Sequence, residues 1–185
     1  MNTVFNRRTV LMAAALGAST TLLQACGGSD DEPQRNIVEL AQNTPELSIL
    51  VEAVVAAGLA PTLSTGTLTV FAPTNAAFAA LLTELGVTKE ALLANKSLLT
   101  AVLTYHVLGS KVMRADVPLG KAITPVSGGF FKIESNNGLK ITDGRNRVST
   151  ITSTDIQASN GVVHLVDKVL LPADKDIVAT ASALP

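Results

Sequence analysis

The spacing of apolar positions changes near residue 110. Between residues 36 and 109 they recur every three or four residues, as in "TPELSILVEAVVAAGL" and "SLLTAVLTYHVLG". This spacing is typical of amphipathic helices. From Lys111 onward, apolar and polar residues alternate between turn signals, and "FFKIESNNGLKITDG" predicts a hairpin. Helices followed by strands indicate an α+β fold, with a mainly helical N-terminal half.

Capping residues and helix breakers set the predicted boundaries in the first half. We expect Thr44 to cap a long helix that Gly58 ends. A strand over residues 67–71 should follow and be broken by Pro73, before a helix capped by Thr74 or Asn75.

Later boundaries follow the same reasoning. The run 88–109 predicts one or two helices, with Ser97 capping the second. "GVVHLVDKVLLP" is apolar on both faces, which predicts a buried central strand. Asn160 and Gly161 predict a tight turn that starts this strand.

Residues 1–25 have the pattern of a signal peptide. Arg7 and Arg8 precede an apolar run over residues 10–23, which is shorter than the ~20 residues of a membrane-spanning helix. The arginine pair also fits a twin-arginine signal. "LLQAC" resembles a bacterial lipobox, which implies lipidation of Cys26, and an ordinary cleaved signal is the alternative. We expect residues 26–34 to form a flexible tether.

The composition indicates one globular domain. The chain has 185 residues, of which 47% are hydrophobic and 16% charged, with a net charge of −1. A nucleic-acid-binding protein would carry a basic excess, so we expect no nucleic-acid partner. Residues 173–185 are a polar tail that follows the last predicted strand.

Three segments in order resemble the motifs of a known family: "TLTVFAPTNAAF" (67–78), "TYHVL" (104–108) and "NGVVHLVDKVLLP" (160–172). Together they closely resemble the fasciclin domain, over residues 35–172. The resemblance implies a β-wedge of about seven strands with helices packed alongside. It also implies a non-enzymatic adhesion or interaction module that is extracellular or lies in the cell envelope.

The resemblance also suggests binding residues. Animal members bind integrins around a Tyr-His motif and an Asp-Ile motif. Tyr105 and His106 match the first motif here, and Asp155 and Ile156 match the second. The residues around the Asp-Ile pair depart from the animal pattern, so integrin binding is not carried over. The candidate binding residues are therefore these four, with a different partner.

Tyr105 is the single tyrosine, and His106 is one of two histidines. The pair could form a surface epitope, a catalytic site or part of the core. We favour a buried His106 that is hydrogen-bonded, because a buried imidazole needs a partner for each nitrogen. Thr74 or Asn75 could supply one partner.

Structural roles are also expected for Asn160, Gly161 and His164. A zinc site needs three or four ligands. With Cys26 consumed by the lipid, the two histidines do not suffice without a carboxylate cluster, and none is spaced for it, so we expect no metal and no cofactor. The sequence contains no G-x-S-x-G motif of a serine hydrolase. We therefore expect a protein that is not an enzyme.

The functional hypothesis is a lipid-anchored module in the periplasm or on the outer membrane, exposed or secreted in part. The partner of this module would be an envelope or matrix protein or a polysaccharide. The sequence leaves the oligomeric state of the module open. The alternative is a carrier or sensor of a small apolar ligand, with a pocket lined by Phe71, Phe78 or Phe130.

Overall fold

The computed structural model describes residues 35–135 and 138–173. Apart from β1, the helices precede the strands along the chain, which confirms the predicted α+β class. The helices are α1 Ile37–Gln42, α2 Ser48–Ala56, α3 Ala60–Ser64, α4 Asn75–Leu85, α5 Lys89–Ala94 and α6 Lys96–Tyr105, with 3₁₀ turns at Pro45–Leu47 and Arg114–Asp116. The strands are β1 Leu68–Pro73, β2 Val107–Leu108, β3 Ala122–Ile123, β4 Phe131–Ser135, β5 Leu139–Thr142, β6 Val148–Ala158 and β7 Gly161–Val166.

The seven strands form one sheet in the order β2-β1-β7-β6-β5-β4-β3. β1 and β7 are parallel, and the other neighbours are antiparallel. The interior position of β7 agrees with its apolar sequence, since Val162, Val163 and Val166 are all buried. The first and last family segments are therefore neighbours in the sheet, although about 90 residues separate them in sequence.

Two hydrophobic clusters hold the described residues together. The larger lies between the helices and one face of the sheet and includes Leu47, Phe78 and Leu99. The smaller fills the interior of the wedge, where Phe131 contacts the rings of Phe71 and Tyr105 edge-on. Tyr105 ends α6, so this helix contributes to both clusters.

Several boundaries differ from those predicted. Thr44 makes no side-chain cap, because a 3₁₀ turn begins at Pro45 and precedes α2. β1 continues through Pro73, which occupies its last position. α6 is capped by Asn95 rather than Ser97, since the Asn95 Oδ1 accepts the Leu98 N–H at 3.0 Å. Asn95 precedes the helix directly, whereas Ser97 lies within its first turn.

The Asn160-Gly161 turn ties the sheet to the first helices. The Asn160 Oδ1 accepts the Ile37 N–H at 2.8 Å, and its Nδ2 donates to the Leu63 carbonyl at 2.8 Å. The Asn160 carbonyl accepts the Leu68 N–H at 3.0 Å. A Cβ at Gly161 would collide with the Leu68 carbonyl oxygen and approach the Ile37 Cδ1 to 3.0 Å. The turn therefore requires glycine at this position.

We expect Gly161→Ala to lower the free energy of unfolding by about 1–3 kcal/mol, because the new methyl group has no room beside the Leu68 carbonyl. Urea denaturation measures this. Gly109→Ala is the matched control, since no atom lies within 4 Å of a Cβ there, and it should stay within about 0.5 kcal/mol of wild type. Equal stabilities of the two variants would contradict the prediction.

Candidate functional site

The Tyr-His pair lies at the junction between α6 and the sheet, and both side chains are buried. Tyr105 is 0% exposed and His106 is 1% exposed. A partner at the folded surface therefore does not reach either side chain. The exposed part of this segment begins at Gly109 and continues to Lys111.

The Tyr105 hydroxyl joins three parts of the wedge. It donates to the Phe130 carbonyl at 2.6 Å and accepts the Gly144 N–H at 3.0 Å. Burial raises the pKa of Tyr105 to about 12, so the phenol is neutral at physiological pH. Tyr105 thus links α6 to the residue before β4 and to the turn between β5 and β6.

His106 uses both ring nitrogens on backbone groups. Its Nε2 accepts the Leu170 N–H at 2.8 Å, so the proton of the neutral ring is on Nδ1, which donates to the Val102 carbonyl at 2.7 Å. Burial lowers the pKa of His106 to about 4. The imidazole is therefore neutral at physiological pH and has no nitrogen left to act as a base.

The expected partners of His106, Thr74 and Asn75, are engaged elsewhere. The Thr74 Oγ1 caps α4 by accepting the Ala77 N–H at 3.4 Å. The Asn75 amide accepts the Ile49 N–H and donates to the Pro45 carbonyl and to the Ser48 Oγ, each at 3.0 Å. Asn75 therefore ties α4 to the start of α2, and the prediction that it or Thr74 binds His106 was wrong.

Asp143, which the sequence reading did not single out, completes this junction. Its buried carboxylate accepts the Arg145 and Arg147 N–H groups at 2.9 Å and the Leu171 N–H at 3.1 Å. His106 and Asp143 therefore bind the consecutive amides of Leu170 and Leu171. The one available signal was "TDGRNR", in which an aspartate before a glycine predicts a turn with side-chain hydrogen bonds.

His164 has a different structural role from that of His106. Its Nδ1 accepts the Asp155 N–H at 3.2 Å, and its Nε2 donates to the Val112 carbonyl at 3.0 Å. The ring stacks on Phe71 with centroids 5.5 Å apart. This buried side chain holds two surface segments together, one before the 3₁₀ turn Arg114–Asp116 and one in β6.

Asp155 stands at an irregularity in β6. The register with β7 shifts between Ser153 and Ile156, and Asp155 has φ 59°, a left-handed conformation that non-glycine residues adopt at a cost. Its Oδ1 accepts the Arg114 N–H at 2.8 Å. We call residues 111–116 and 152–157 together the bulge surface.

The bulge surface combines exposed and half-buried residues. Lys111, Arg114 and Asp116 are exposed on one segment, and Asp155 and Ile156 are half-buried on the other. The structure thus brings the candidate residues Asp155 and Ile156 beside a loop that the sequence reading did not include. It separates their surface from the buried side chains of Tyr105 and His106.

Two apolar cavities within the described residues are small. One, beneath α1 and lined in part by Phe71, has a volume of about 30 Å³, and one lined in part by Phe78 has about 10 Å³. Pockets for small-molecule ligands usually have roughly 300–1,000 Å³. Phe130 lines neither cavity and is 60% exposed. A carrier function would require the helices to open.

Two features are absent from residues 35–135 and 138–173. These residues contain no group of three or more His, Cys, Asp or Glu side chains arranged to hold a metal ion. They also contain no helix with the length and apolar character needed to span a membrane.

The sequence identifies the family to which this protein belongs, and the fold agrees with it. The family model for the fasciclin domain matches residues 45–172. Since this match covers most of the chain, the protein belongs to the fasciclin domain family. The wedge and its three characteristic segments are therefore family features, as their sequence resemblance implied.

Bacterial relatives and a solved structure agree with this assignment. Protein sll1483 of Synechocystis sp. is 43% identical over 140 residues, which are 74% of this chain and 73% of that protein. Immunogenic protein MPB70 of Mycobacterium bovis is 33% identical over 144 residues, 75% of this chain and 70% of that protein. A FAS1 domain pair from the insect cell adhesion molecule Fasciclin I has the same fold, with a TM-score of 0.67 at 13% identity. That similarity covers 78% of this chain and 52% of the domain pair.

The neutral state of His106 predicts a pH dependence of stability. The pKa of His106 is about 4 in the folded chain and about 6.5 in an unfolded one. Protonation therefore favours unfolding, so stability should be full above pH 6.5 and fall as the pH drops toward 4. The loss from this residue is about 3 kcal/mol.

Urea denaturation between pH 3.5 and 8 on wild type and His106→Gln measures this loss. All other ionisable groups are the same in both proteins, so their contributions cancel in the difference between the two curves. We expect the difference in the free energy of unfolding between the two proteins to change between pH 6.5 and 4 and to be constant below pH 4. Curves that remain parallel over the whole range would show that His106 is not the titrating group.

Proposed function

We propose that this protein is a lipid-anchored, non-enzymatic interaction module of the bacterial cell envelope. It contacts a protein or polysaccharide partner through the bulge surface. The single observation that carries this proposal is the left-handed Asp155, held beside the Arg114 loop by hydrogen bonds to the Arg114 N–H and to the buried His164 ring. The membership of an insect cell adhesion molecule in the same fold class supports the adhesive role.

The conformation of Asp155 costs stability that the core must supply. A non-glycine residue in a disfavoured backbone region costs about 1–3 kcal/mol, and such residues cluster at functional sites. Here the cost is offset by the His164 imidazole beneath the backbone and by the Arg114 amide at the carboxylate. The carboxylate is therefore fixed in place before any partner arrives, which reduces the entropy lost on binding.

The loop opposite Asp155 is held as firmly as the bulge. The buried Thr69 Oγ1 donates to the Ser110 carbonyl at 2.6 Å and accepts the Val112 N–H at 2.8 Å. The Val112 carbonyl also accepts the His164 Nε2–H. Both halves of the bulge surface therefore rest on buried side chains of the sheet, which suits a preformed binding surface.

The chemistry of the surface favours a polar partner. Lys111 and Arg114 supply positive charge, and Asp116 and Asp155 supply negative charge. Ile156 is half-buried and packs against the larger hydrophobic cluster. Mixed charge suits a protein surface or a polysaccharide with hydroxyl and charged groups, rather than a uniformly charged polymer.

The proposed lipid on Cys26 would keep the domain near the membrane. Cys26 and Arg35 are nine positions apart in sequence, so the connecting segment reaches at most about 30 Å. The Arg35 carbonyl accepts the Ser159 N–H at 2.9 Å, which fixes the attachment point beside the turn between β6 and β7. The bulge surface would then work within a short distance of the lipid surface.

Asp155→Gly should weaken partner binding while the fold is retained, because glycine adopts φ 59° freely but lacks the carboxylate. Immobilised domain, as wild type or variant, is incubated with envelope extract, and the bound partner is quantified. We expect a fall of about fivefold or more, as for a residue at the centre of an interface.

Asn146→Gly is the matched control, because Asn146 also has φ 59° but lies in the turn between β5 and β6. It should bind the partner as wild type does. The proposal fails if Asp155→Gly binds normally, or if both variants lose binding equally at unchanged thermal stability.

Cys26→Ser should release the protein from the membrane fraction, since serine lacks the thiol that would carry the lipid. Membrane fractionation and incorporation of a labelled fatty acid in the bacterium measure this. Ser29→Ala, three residues further along the tether, should leave both unchanged. Membrane retention of Cys26→Ser, with undiminished labelling, would exclude Cys26 as the anchor.

A further inference from the structure

The Tyr-His segment, whose side chains are buried, holds a surface loop that the proposed function does not use. This loop connects β3 to β4, and we call its residues 125–130 the glycine loop. Three hydrogen bonds attach it to the segment 104–107: the Val126 N–H to the Val107 carbonyl at 2.8 Å, the Ser127 N–H to the Thr104 carbonyl at 3.3 Å, and the Tyr105 hydroxyl to the Phe130 carbonyl at 2.6 Å. The loop is therefore held in place before any ligand arrives, which lowers the entropy lost on binding.

Two glycines give the loop its shape. Gly128 has φ 83° and Gly129 has φ 76°, a left-handed conformation in which other residues are strained. A Cβ at Gly128 would meet no atom within 4 Å, and a Cβ at Gly129 would lie 3.4 Å from the Tyr105 Cε2. The backbone conformation, rather than a lack of room, thus favours glycine at both positions. It leaves the backbone of the loop accessible beside the Tyr105 ring.

A cleft of about 150 Å³ opens beside the glycine loop. Three parts of the chain line it: Ala101 of α6, Ser127, Gly128 and Gly129 of the loop, and Pro172 and Ala173 after β7. Ser127 and Gly129 are exposed, so the cleft is open to solvent. An enclosed cavity of about 150 Å³ holds a molecule of the size of benzene. The cleft therefore has room for one six-membered ring rather than for a larger ligand.

The lining of the cleft is polar and uncharged. None of its six lining residues has a charged side chain. The Ser127 hydroxyl donates to the neighbouring Gly128 carbonyl at 3.3 Å and can still accept a hydrogen bond. The Gly129 N–H makes no hydrogen bond to another described residue. The Pro172 carbonyl accepts from the Arg145 Nε at 3.3 Å and has a second lone pair.

This lining favours a neutral ligand with hydroxyl groups. An apolar ligand would remove water from the polar groups of the cleft without replacing their hydrogen bonds. A charged ligand would find no side chain of opposite charge among the lining residues. A hydroxyl group both donates and accepts, so a sugar ring can pair with the N–H, the carbonyl and the hydroxyl that the cleft offers.

Two exposed apolar side chains flank the lining residues along the loop. Phe130 is 60% exposed and Val126 is 56% exposed, whereas Phe71, Phe78 and Phe131 are at most 1% exposed. The CH groups on one face of a sugar ring are apolar, so they can pack against an exposed aromatic ring. The loop thus offers the apolar and the hydrogen-bonding contacts that a polysaccharide chain uses.

We propose that the glycine loop and its cleft bind a neutral polysaccharide, with one sugar ring in the cleft and Phe130 against a neighbouring sugar. This site consists of other residues than the bulge surface and does not rest on the function proposed for that surface. It also gives the Tyr-His segment a role in binding. The segment supports the loop, and Tyr105 is a positioning residue rather than a contact.

Native electrophoresis in gels that contain a soluble polysaccharide measures the binding. The chain from residue 27 onward, which includes both hydrophobic clusters, is run with dextran, galactomannan and xyloglucan, and with the anionic alginate. At least one of the three neutral polysaccharides should retard the wild-type chain, and alginate should retard it less. The proposal is overturned if no neutral polysaccharide retards the chain, or if alginate retards it as strongly.

Two substitutions at the site should weaken the retardation. Ala101→Leu fills the cleft, and Phe130→Ala removes the exposed ring, so each should raise the Kd by about fivefold or more. Ala80→Leu, at an exposed position of α4, is the matched control for the first. Val55→Ala, at a side chain that is also 60% exposed, is the control for the second. Both controls should bind as wild type does. Undiminished binding by either site variant, at unchanged Tm, contradicts the proposal.

Tyr105→Phe tests the support of the loop, because it keeps the ring and removes the hydroxyl that holds the Phe130 carbonyl. We expect weaker retardation at a temperature at which the variant is folded. Gly161→Ala is the matched control, since it should be destabilised for an unrelated reason and should bind the polysaccharide normally. If the two variants bind equally well, Tyr105 does not position the loop.

Two further comparisons separate this site from the bulge surface and from a protein partner. Asp155→Gly should leave the retardation unchanged, and its loss in this variant would move the polysaccharide to the bulge surface and overturn the second site. Phe130→Ala should leave the capture of envelope proteins unchanged. If it abolishes that capture and retains the retardation, the loop binds a protein, and the proposal is overturned.

Discussion

The junction between α6 and the sheet depends on one neutral imidazole. His106 accepts the Leu170 N–H and donates to the Val102 carbonyl, and both bonds require a ring with a single proton. The chain after β7 is held there, with Asp143 binding the next amide, Leu171. An unpaired amide in this buried position would cost about 1–3 kcal/mol. The closing of the sheet against the helices therefore depends on the protonation state of this side chain.

The two histidines show that the same type of side chain has two different structural roles in this domain. His106 binds backbone groups within the core, and His164 binds backbone groups of two segments that reach the surface. Both are buried, yet only the second positions exposed residues. This arrangement keeps the core intact while the surface above His164 carries the left-handed Asp155. Such a division suits an interaction module, in which a rigid core supports a variable surface.

The geometry of the domain separates its points of attachment. Arg35 leaves the domain beside the turn after β6, and Ala173 leaves it beside the turn before β6. The fold shared with an insect adhesion domain at 13% identity leaves these surfaces free to differ between family members.

The sequence alone determined the features that depend on neighbouring residues. Apolar spacing predicted the order of helices and strands, Thr74 marked the start of α4, and "NGVVHLV" marked the central strand. The three family segments then indicated the wedge. Caps, turns and periodicity are local in sequence, so they can be read there.

Tertiary structure decided the features that depend on distant residues. The partner of His106 is an amide 64 positions away, and the partner of Asp155 is an amide 41 positions away. Neither can be read from sequence, because any backbone N–H offers the same donor and only the packed fold chooses among them. The sequence favoured a buried, hydrogen-bonded His106, but only the closure of the wedge around the end of α6 encloses both side chains of the Tyr-His pair.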